Sequence, residues 1–352
     1  MSVDYYDKQT SNLLYQAQMP KETGWTTTTR NVGAMQNRGF EFLINARVIN
    51  KKDWKWNFSF NIATNNSIIK KLADNTPFFV GSSNIYVQEG RRIGEFYGYR
   101  YGGIFQYDES NAFTPDWQQL MPVFENGLFQ NQYLLNGKTY TGEVKQKVYI
   151  SDETTVFQGG DINWLEAPGH EDGVIDEHDR VVLGCAQPDY YGGLNSTLTW
   201  KGLSLFVSVY YSMGGQIYNL AKKTRNAFQR TFTTPDIEAI YNMWTQPGDI
   251  ATYPAPLDRP HNRLGPTDFY LEDASYIKLR NVKLTYRLPK EITGKIYLKS
   301  VDLYVYANNL LTFTAYKGFD PELPTSDALS FNIDNNRYPR KKEFGFGINV
   351  NF

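Results

Sequence analysis

The sequence predicts an all-β chain: an antiparallel transmembrane β-barrel wall with long loops on one side. Three observations predict it. Segments of two-residue hydrophobic alternation follow one another along the chain, which puts one side of each strand in an apolar setting and the other in a wet one. Several of these segments exceed the common globular strand of about 5–6 residues and match the roughly 9–11 needed to cross a membrane at a tilt. The connections between them alternate between short and long.

The elements follow in order. FEFLINARV sets Phe40, Phe42, Ile44, Ala46 and Val48 against Glu41, Asn45 and Arg47, and WNFSFNIAT sets Trp56, Phe58, Phe60 and Ile62 against Asn57, Ser59 and Asn61. LSLFVSVYYS opposes Leu203, Leu205, Val207, Val209 and Tyr211 to Ser204, Ser208 and Ser212, with aromatic Phe206 and Tyr210 on that second face, and VDLYVYANN repeats the pattern less cleanly. FGFGINVNF has Phe344, Phe346, Ile348, Val350 and Phe352 on one face and only Gly and Asn on the other. SYIKLRNVKLTYRL changes phase between Ile277/Leu279 and Val282/Leu284/Tyr286/Leu288, so a β-bulge near Arg280 and Asn281 is expected. About ten strands result, near 2–8, 33–49, 54–70, 79–88, 93–106, 190–200, 203–218, 275–288, 300–313 and 341–352. The pattern of 79–88 is weak, and it is included to keep the count even. NKKD, EGRR, Lys201–Gly202 and PKEITGKIYLK are the short links; 9–32, 71–79, 107–189, 219–274 and 314–340 are the long ones.

Composition narrows the alternatives. The chain has 352 residues, 26 Tyr and 22 Phe, a formal net charge of −1 and one cysteine, Cys185. No apolar run of about 18 residues exists, so membrane-spanning helices are not expected. Near-neutral charge offers no basic surface for nucleic acid, and a lone cysteine, expected to be a buried thiol, forms no intrachain disulfide. SVDYYDKQT opens on a strand with no basic-then-apolar leader, as expected of a mature chain or of a piece of a longer one. A large soluble β-sandwich or propeller would also alternate, but its strands would be shorter.

Several stretches resemble the C-terminal barrel region of SusC/RagA-type TonB-dependent outer-membrane transporters. They run in one order: VDYYDKQTSNLLYQAQMP, NVGAMQNRGFEFLI, VQEGRRIGEFYGYRYGGIFQ, GGDINW with DGVIDEHDRVVLG, PDYYGGLNSTLTWKGLSLFVSVYYSMGGQIYN, MWTQPGD, EDASYIKLRNVKLTYRLP, VYANNLLTFTAYKGFDPE and FGFGINVNF. The resemblance implies that residues 1–352 are about the last ten strands of a barrel of roughly 22, without its plug, TonB box and N-terminal strands. It implies an importer of oligosaccharides or peptides, energised through TonB, set in outer-membrane lipid and lidded by a SusD-like lipoprotein. A siderophore or vitamin receptor and a structural or adhesive outer-membrane barrel are the alternatives, and no enzymatic constellation is apparent. Phe352 resembles the terminal aromatic by which such barrels are recognised for assembly.

The loops hold the candidate site residues. GDINWLEAPGHEDGVIDEHD, residues 160–179, gathers carboxylates, among them Glu166, Asp172, Asp176 and Asp179, around the turn-making Gly173. Hard oxygen ligands in a glycine-containing loop suit Ca²⁺, which makes this a candidate calcium site; an Asx-turn hairpin tied by its own backbone is the alternative. Where the resembled family reads close to D-x-N-G-D-G, this chain has EAPGHEDG. His170, His178 and His261 are expected at the surface. Trp117, Trp164 and Trp244, with Phe124 and Tyr133, either pack within folded loops, line a ligand cavity or touch a lid. Tyr97, Tyr99, Tyr101, Trp200, Tyr286 and Tyr316 are expected in interfacial girdles. RYPRKKEF concentrates basic charge before the last strand, and the stretch after Pro235 spaces Ile237, Ile240, Tyr241 and Trp244 on one side of a short helix.

Overall fold

A computed structural model describes residues 1–18, 27–72, 75–80, 85–150, 154–226, 234–257, 259–323, 329 and 331–352; side chains at 13–18, 27–32 and 296 are not described. Two compact units emerge: residues 1–95, 185–218 and 272–352 form one, and residues 96–184 and 219–271 form the other.

The first unit is the wall. Its strands are β1 (Ser2–Gln18), β2 (Thr27–Asn50), β3 (Trp54–Ala63), β4 (Asn66–Lys71), β5 (Tyr190–Trp200), β6 (Leu203–Met213), β7 (Tyr276–Arg287), β8 (Ser300–Thr314) and β9 (Glu343–Asn351). They pair in the order β1-β2-β3-β5-β6-β7-β8-β9, with β4 continuing along β2 beyond the end of β3. These neighbours pair antiparallel. The predicted strand 54–70 is thus β3 and β4 with an irregularity at Thr64, whose N–H donates to the Phe40 carbonyl at 2.9 Å.

Two corrections follow. The stretch 9–32, expected as a long connection, is largely strand: β1 runs on to Gln18, β2 begins at Thr27, and Gln18 pairs with Thr27. The β-branched run Thr27–Thr29 favours extended backbone; positions 19–26 lie outside the described residues. The second concerns 79–88 and 93–106, which are not wall strands. They become the short pieces Phe78–Phe79, Ile85–Val87, Glu95–Gly98 and Arg100–Ile104, and β3 pairs directly with β5. Ile85, Val87, Phe96 and Tyr99 are all fully enclosed, whereas a wall strand leaves its apolar side open. Removing both strands preserves the even count, and from β2 onward the short links 51–53, 201–202 and 288–299 alternate with longer ones.

The β-bulge predicted near Arg280 is present. Opposite β6, Asn281 pairs with Ser208 and Leu279 with Val209, which leaves Arg280 without a partner. Against β8 the register also shifts between Leu279 and Asn281, but there the extra residue lies on β8, since Leu279 pairs with Leu311 and Asn281 with Asn308. One extra residue restores the alternation, so Ile277, Leu279, Val282, Leu284 and Tyr286 all reach the same face.

That face carries continuous apolar rows. Trp56 pairs with Leu198, Leu198 with Leu205, Leu205 with Leu284, Leu284 with Val305 and Val305 with Phe346. Exposed side chains such as Leu205, Leu284, Val305, Phe346 and Ile348 make it a surface suited to lipid. At its short-link end Trp54 stacks on Trp200, centroids 5.8 Å apart, and Leu203 and Tyr286 continue that row. Trp200 and Tyr286 therefore fit the interfacial girdle; Tyr99 and Tyr316 do not, because both are buried. The opposite face holds a polar ribbon, Asn45–Ser59–Asn195–Ser208–Asn281–Asn308–Glu343, one residue each on β2, β3, β5, β6, β7, β8 and β9. Asn281 Nδ2 donates to Asn308 Oδ1 at 2.6 Å, and Asn308 Nδ2 to Glu343 Oε2 at 3.2 Å.

Beside the bulge, Lys278 Nζ bonds Asp320 at 2.9 Å and Glu322 at 2.8 Å, and Arg280 and Arg340 also reach Glu322. This cluster ties the segment after β8 to the polar face of β7. The basic residues of RYPRKKEF are partly spoken for, since Lys341 also pairs with Glu343 at 3.1 Å. Cys185 is half-buried rather than enclosed.

Candidate functional site

The second unit is built from the two long connections that follow β4 and β6. Its frame is the antiparallel pair Arg100–Ile104 and Ile162–Leu165. Tyr99, Phe105, Phe113, Phe157, Ile162, Trp164, Ile175 and Leu264 form its core. The buried Asp161 carboxylate ties its own turn to the segment 259–262: it accepts from the Gln158 N–H at 2.8 Å, Arg259 at 2.7 Å and Asn262 Nδ2 at 2.8 Å, with His261 at 3.0 Å. Burial works to raise its pKa, but the bonds from His261 and Arg259 outweigh it and hold the carboxyl below the usual range. His261 is thus a buried structural partner, not the surface residue expected. His170 and His178 are exposed and stack on each other at 5.0 Å.

The acidic loop 160–179 resolves into backbone turns. Asp172 Oδ1 accepts from Val174 N–H at 2.8 Å, Asp176 Oδ1 from His178 N–H at 2.7 Å, and Asp179 from the N–H groups of Ala167 at 2.9 Å and Asp176 at 3.0 Å. Glu166 accepts from the Gly173 N–H and faces the Lys147 ammonium at 3.8 Å. The proposed calcium ligands Glu166, Asp172, Asp176 and Asp179 therefore do not converge in one shell. Their lone pairs are taken by backbone donors, and Glu166 already has a cation. Among the described residues no three His, Cys, Asp or Glu side chains form a group that could hold a metal ion. The residues present do not fit a Ca²⁺ shell.

Burial dominates the Lys147–Glu166 pair. It lowers the lysine, with Glu166 working against the shift, and raises the glutamate, with the Gly173 N–H and Lys147 opposing. Lys147 is further held by Asn163 Oδ1 at 3.3 Å and the Trp164 carbonyl at 2.9 Å.

The three tryptophans expected to meet ligand are packed separately. Trp164 is 1% exposed, its Nε1 donating to the His261 carbonyl at 2.8 Å, so no face of it is offered to solvent. Trp117 lies against Phe113, with Lys145 Nζ 5.5 Å from its ring centroid. Trp244 donates to the Gln106 carbonyl at 3.0 Å. Both of the latter rest on a glycine in the left-handed region, Gly173 (φ 80°) and Gly160 (φ 83°), where a Cβ would strike the indole. The helix after Pro235 covers only Ile237–Tyr241; it buries Ala239 and leaves Ile237 and Tyr241 largely exposed, with Trp244 beyond its end. Positions 227–233, before Pro235, lie outside the described residues.

Two cavities differ in what they could hold. One, under Tyr101, Lys223 and Phe269, admits only about 30 Å³. Burial brings the Lys223 amine, which donates to the Gly265 carbonyl at 2.8 Å, down to about 8, and pushes the Tyr101 hydroxyl up to about 12. The other is an open groove of about 630 Å³, bordered by Gly103, Gln106, Tyr107, Gln119, Phe124 and Asn163. Tyr107 stacks on Phe124 with centroids 3.9 Å apart. Of these six, only Phe124 is among the aromatics singled out above. The missed signal is YGGIFQY: two glycines inside a strand-like run mark a place where a backbone is approached closely.

No family model matches the chain. It is 36% identical over its full length to TonB-dependent receptor P39 of Formosa agariphila, of which it covers 34%. Against TonB-dependent receptor SusC of Bacteroides thetaiotaomicron it is 25% identical, covering 99% of this chain and 30% of that protein. Among solved structures, that of the RagAB peptide transporter superposes with a TM-score of 0.68 at 26% identity, over 99% of this chain and 33% of that one. The chain spans about one third of the length of the curated relatives it matches.

Proposed function

The chain is a SusC/RagA-like part of a TonB-dependent receptor barrel, and from that premise we propose that it serves outer-membrane import of oligosaccharides or peptides. One observation carries the reading beyond likeness: the wall has an apolar face continuous across its strands and a polar ribbon on the other. A sheet made that way separates lipid from a hydrated path. The second unit offers binding surface, and in this reading the contribution of this chain is to bind and to line.

Energy would come from the TonB complex acting through segments outside this chain, and a SusD-like lipoprotein would close over the long connections. The test is a strain lacking the receptor, complemented with the full receptor gene. Uptake of labelled oligosaccharide or peptide pools should return with the gene and cease when TonB is deleted. Uptake that is restored equally without TonB would overturn the reading.

A further inference from the structure

We propose that the groove between Gly103 and the Tyr107–Phe124 pair is a subsite for a neutral oligosaccharide; this rests on the import reading and names its cargo class. Size is the first argument. At about 630 Å³ it falls within the roughly 300–1,000 Å³ of small-molecule sites, whereas the cavity under Lys223 admits about 30 Å³.

Chemistry is the second. Amides (Gln106, Gln119, Asn163), aromatic rings and glycine backbone border the groove, and no charged side chain lines it. A peptide with free termini or a uronate chain would bring charges that meet no counter-charge there, which is costly to desolvate. A neutral sugar brings C–H faces that stack on aromatic rings and hydroxyls that exchange hydrogen bonds with amides.

Preorganisation is the third. Asn163 Nδ2 lies 3.4 Å from Gln119 Oε1, and Gln119 Nε2 donates to the Ser110 carbonyl at 3.3 Å, so the two amides are already oriented. The Gln106 backbone is fixed by Trp244 Nε1 at 3.0 Å and the Gly248 N–H at 2.9 Å, while its side chain is exposed. A Cβ at Gly103 would meet nothing within 4 Å, so its backbone stands open. From the groove the rings continue as a run: Phe124 to Phe129 at 5.8 Å and Phe129 to Tyr133 at 5.3 Å. A chain of sugar rings has somewhere to extend.

The experiment uses the full receptor purified in detergent. Binding of maltohexaose, laminarihexaose, xylohexaose, mannohexaose, hexagalacturonate and a peptide pool of similar length is measured by isothermal titration. Two variants at exposed positions accompany it: Gln106→Ala removes an amide, and Met121→Trp fills the groove. At least one neutral hexasaccharide should bind, and should bind tenfold or more weakly to both variants, each with an unchanged melting curve. The subsite is overturned if no neutral sugar binds, if only hexagalacturonate or peptide binds, or if neither variant weakens the sugar. TonB-dependent peptide uptake without sugar binding would leave import standing and sink this inference. Groove-dependent sugar binding without energised uptake would do the reverse.

Discussion

Lys147 Nζ lies 3.8 Å from Glu166 Oε2, with both side chains about 95% buried or more. Taking either partner away leaves a buried charge uncompensated, which costs about 3–5 kcal/mol. Glu166→Ala should therefore open the 160–179 loop to proteolysis, whereas the double variant Lys147→Met/Glu166→Leu should lose much less.

The same pair predicts a pH response. Glu166 is raised above its ordinary value of 4.5, so the folded chain holds that proton more tightly than the unfolded one. Stability is thus gained as pH falls through the folded value toward 4.5. Asp161 acts oppositely: its carboxyl is lowered from 3.8, and its contribution is lost as pH falls below that through the folded value. The protection factor of the Gly173 amide, with the intrinsic pH dependence of exchange divided out, should rise on mild acidification, and Glu166→Gln should abolish that rise. No change in the wild type would contradict the assignment.

Gly173→Ala should cost about 2–4 kcal/mol, combining left-handed backbone with overpacking. Its Cβ would fall 1.7 Å from the Trp117 ring. The check is hydrogen exchange across 113–118 and 173–175. Trp117→Ala in the same background should recover part of the loss by removing the clash.

Neighbours on β7 should respond oppositely to charge. Leu284 lies on the apolar face and is exposed, while Thr285 points the other way. Leu284→Arg should lower the outer-membrane yield of heat-modifiable receptor, a lipid-facing charge costing about 2–4 kcal/mol near the midplane. Thr285→Arg should leave it near wild type. Equal losses would remove the case for lipid on the Leu284 face.

Legibility in the sequence followed period. Wall strands such as β3, β6, β7 and β9 declare themselves because one face meets an apolar medium and the other does not. The Phe344–Phe352 tail that reads as Phe/Ile/Val against Gly/Asn is strand through Asn351, with Phe344, Phe346 and Ile348 exposed. Where both sides are enclosed, as around Ile85 and Phe96, periodicity no longer distinguishes a wall strand from a packed fragment. Loop chemistry was less readable still. Carboxylate type and spacing at Glu166, Asp172, Asp176 and Asp179 suit calcium and backbone turns alike, and only the positions of the Gly173, Val174, His178 and Ala167 amides separate the two. Aromatic letters likewise carry no direction: Trp164 is sealed, while Tyr107, never singled out, borders the groove.

The bulge at Arg280 gives the sharpest test of the wall. Arg280 has no partner on β6, yet its guanidinium lies over Tyr210 at 4.3 Å and reaches Glu322. Its backbone and side chain therefore do separate jobs. Arg280→Ala removes only the second, so the receptor should still assemble, with the segment carrying Asp320 and Glu322 cut faster by protease. Deleting Arg280 removes the first. The pairing then slips by one residue, and either Ile277 and Leu279 or Val282, Leu284 and Tyr286 must turn to the polar face. The deletion should abolish heat-modifiable receptor in the outer membrane. Assembly of the deletion at wild-type yield would show that the phase change in SYIKLRNVKLTYRL is absorbed elsewhere.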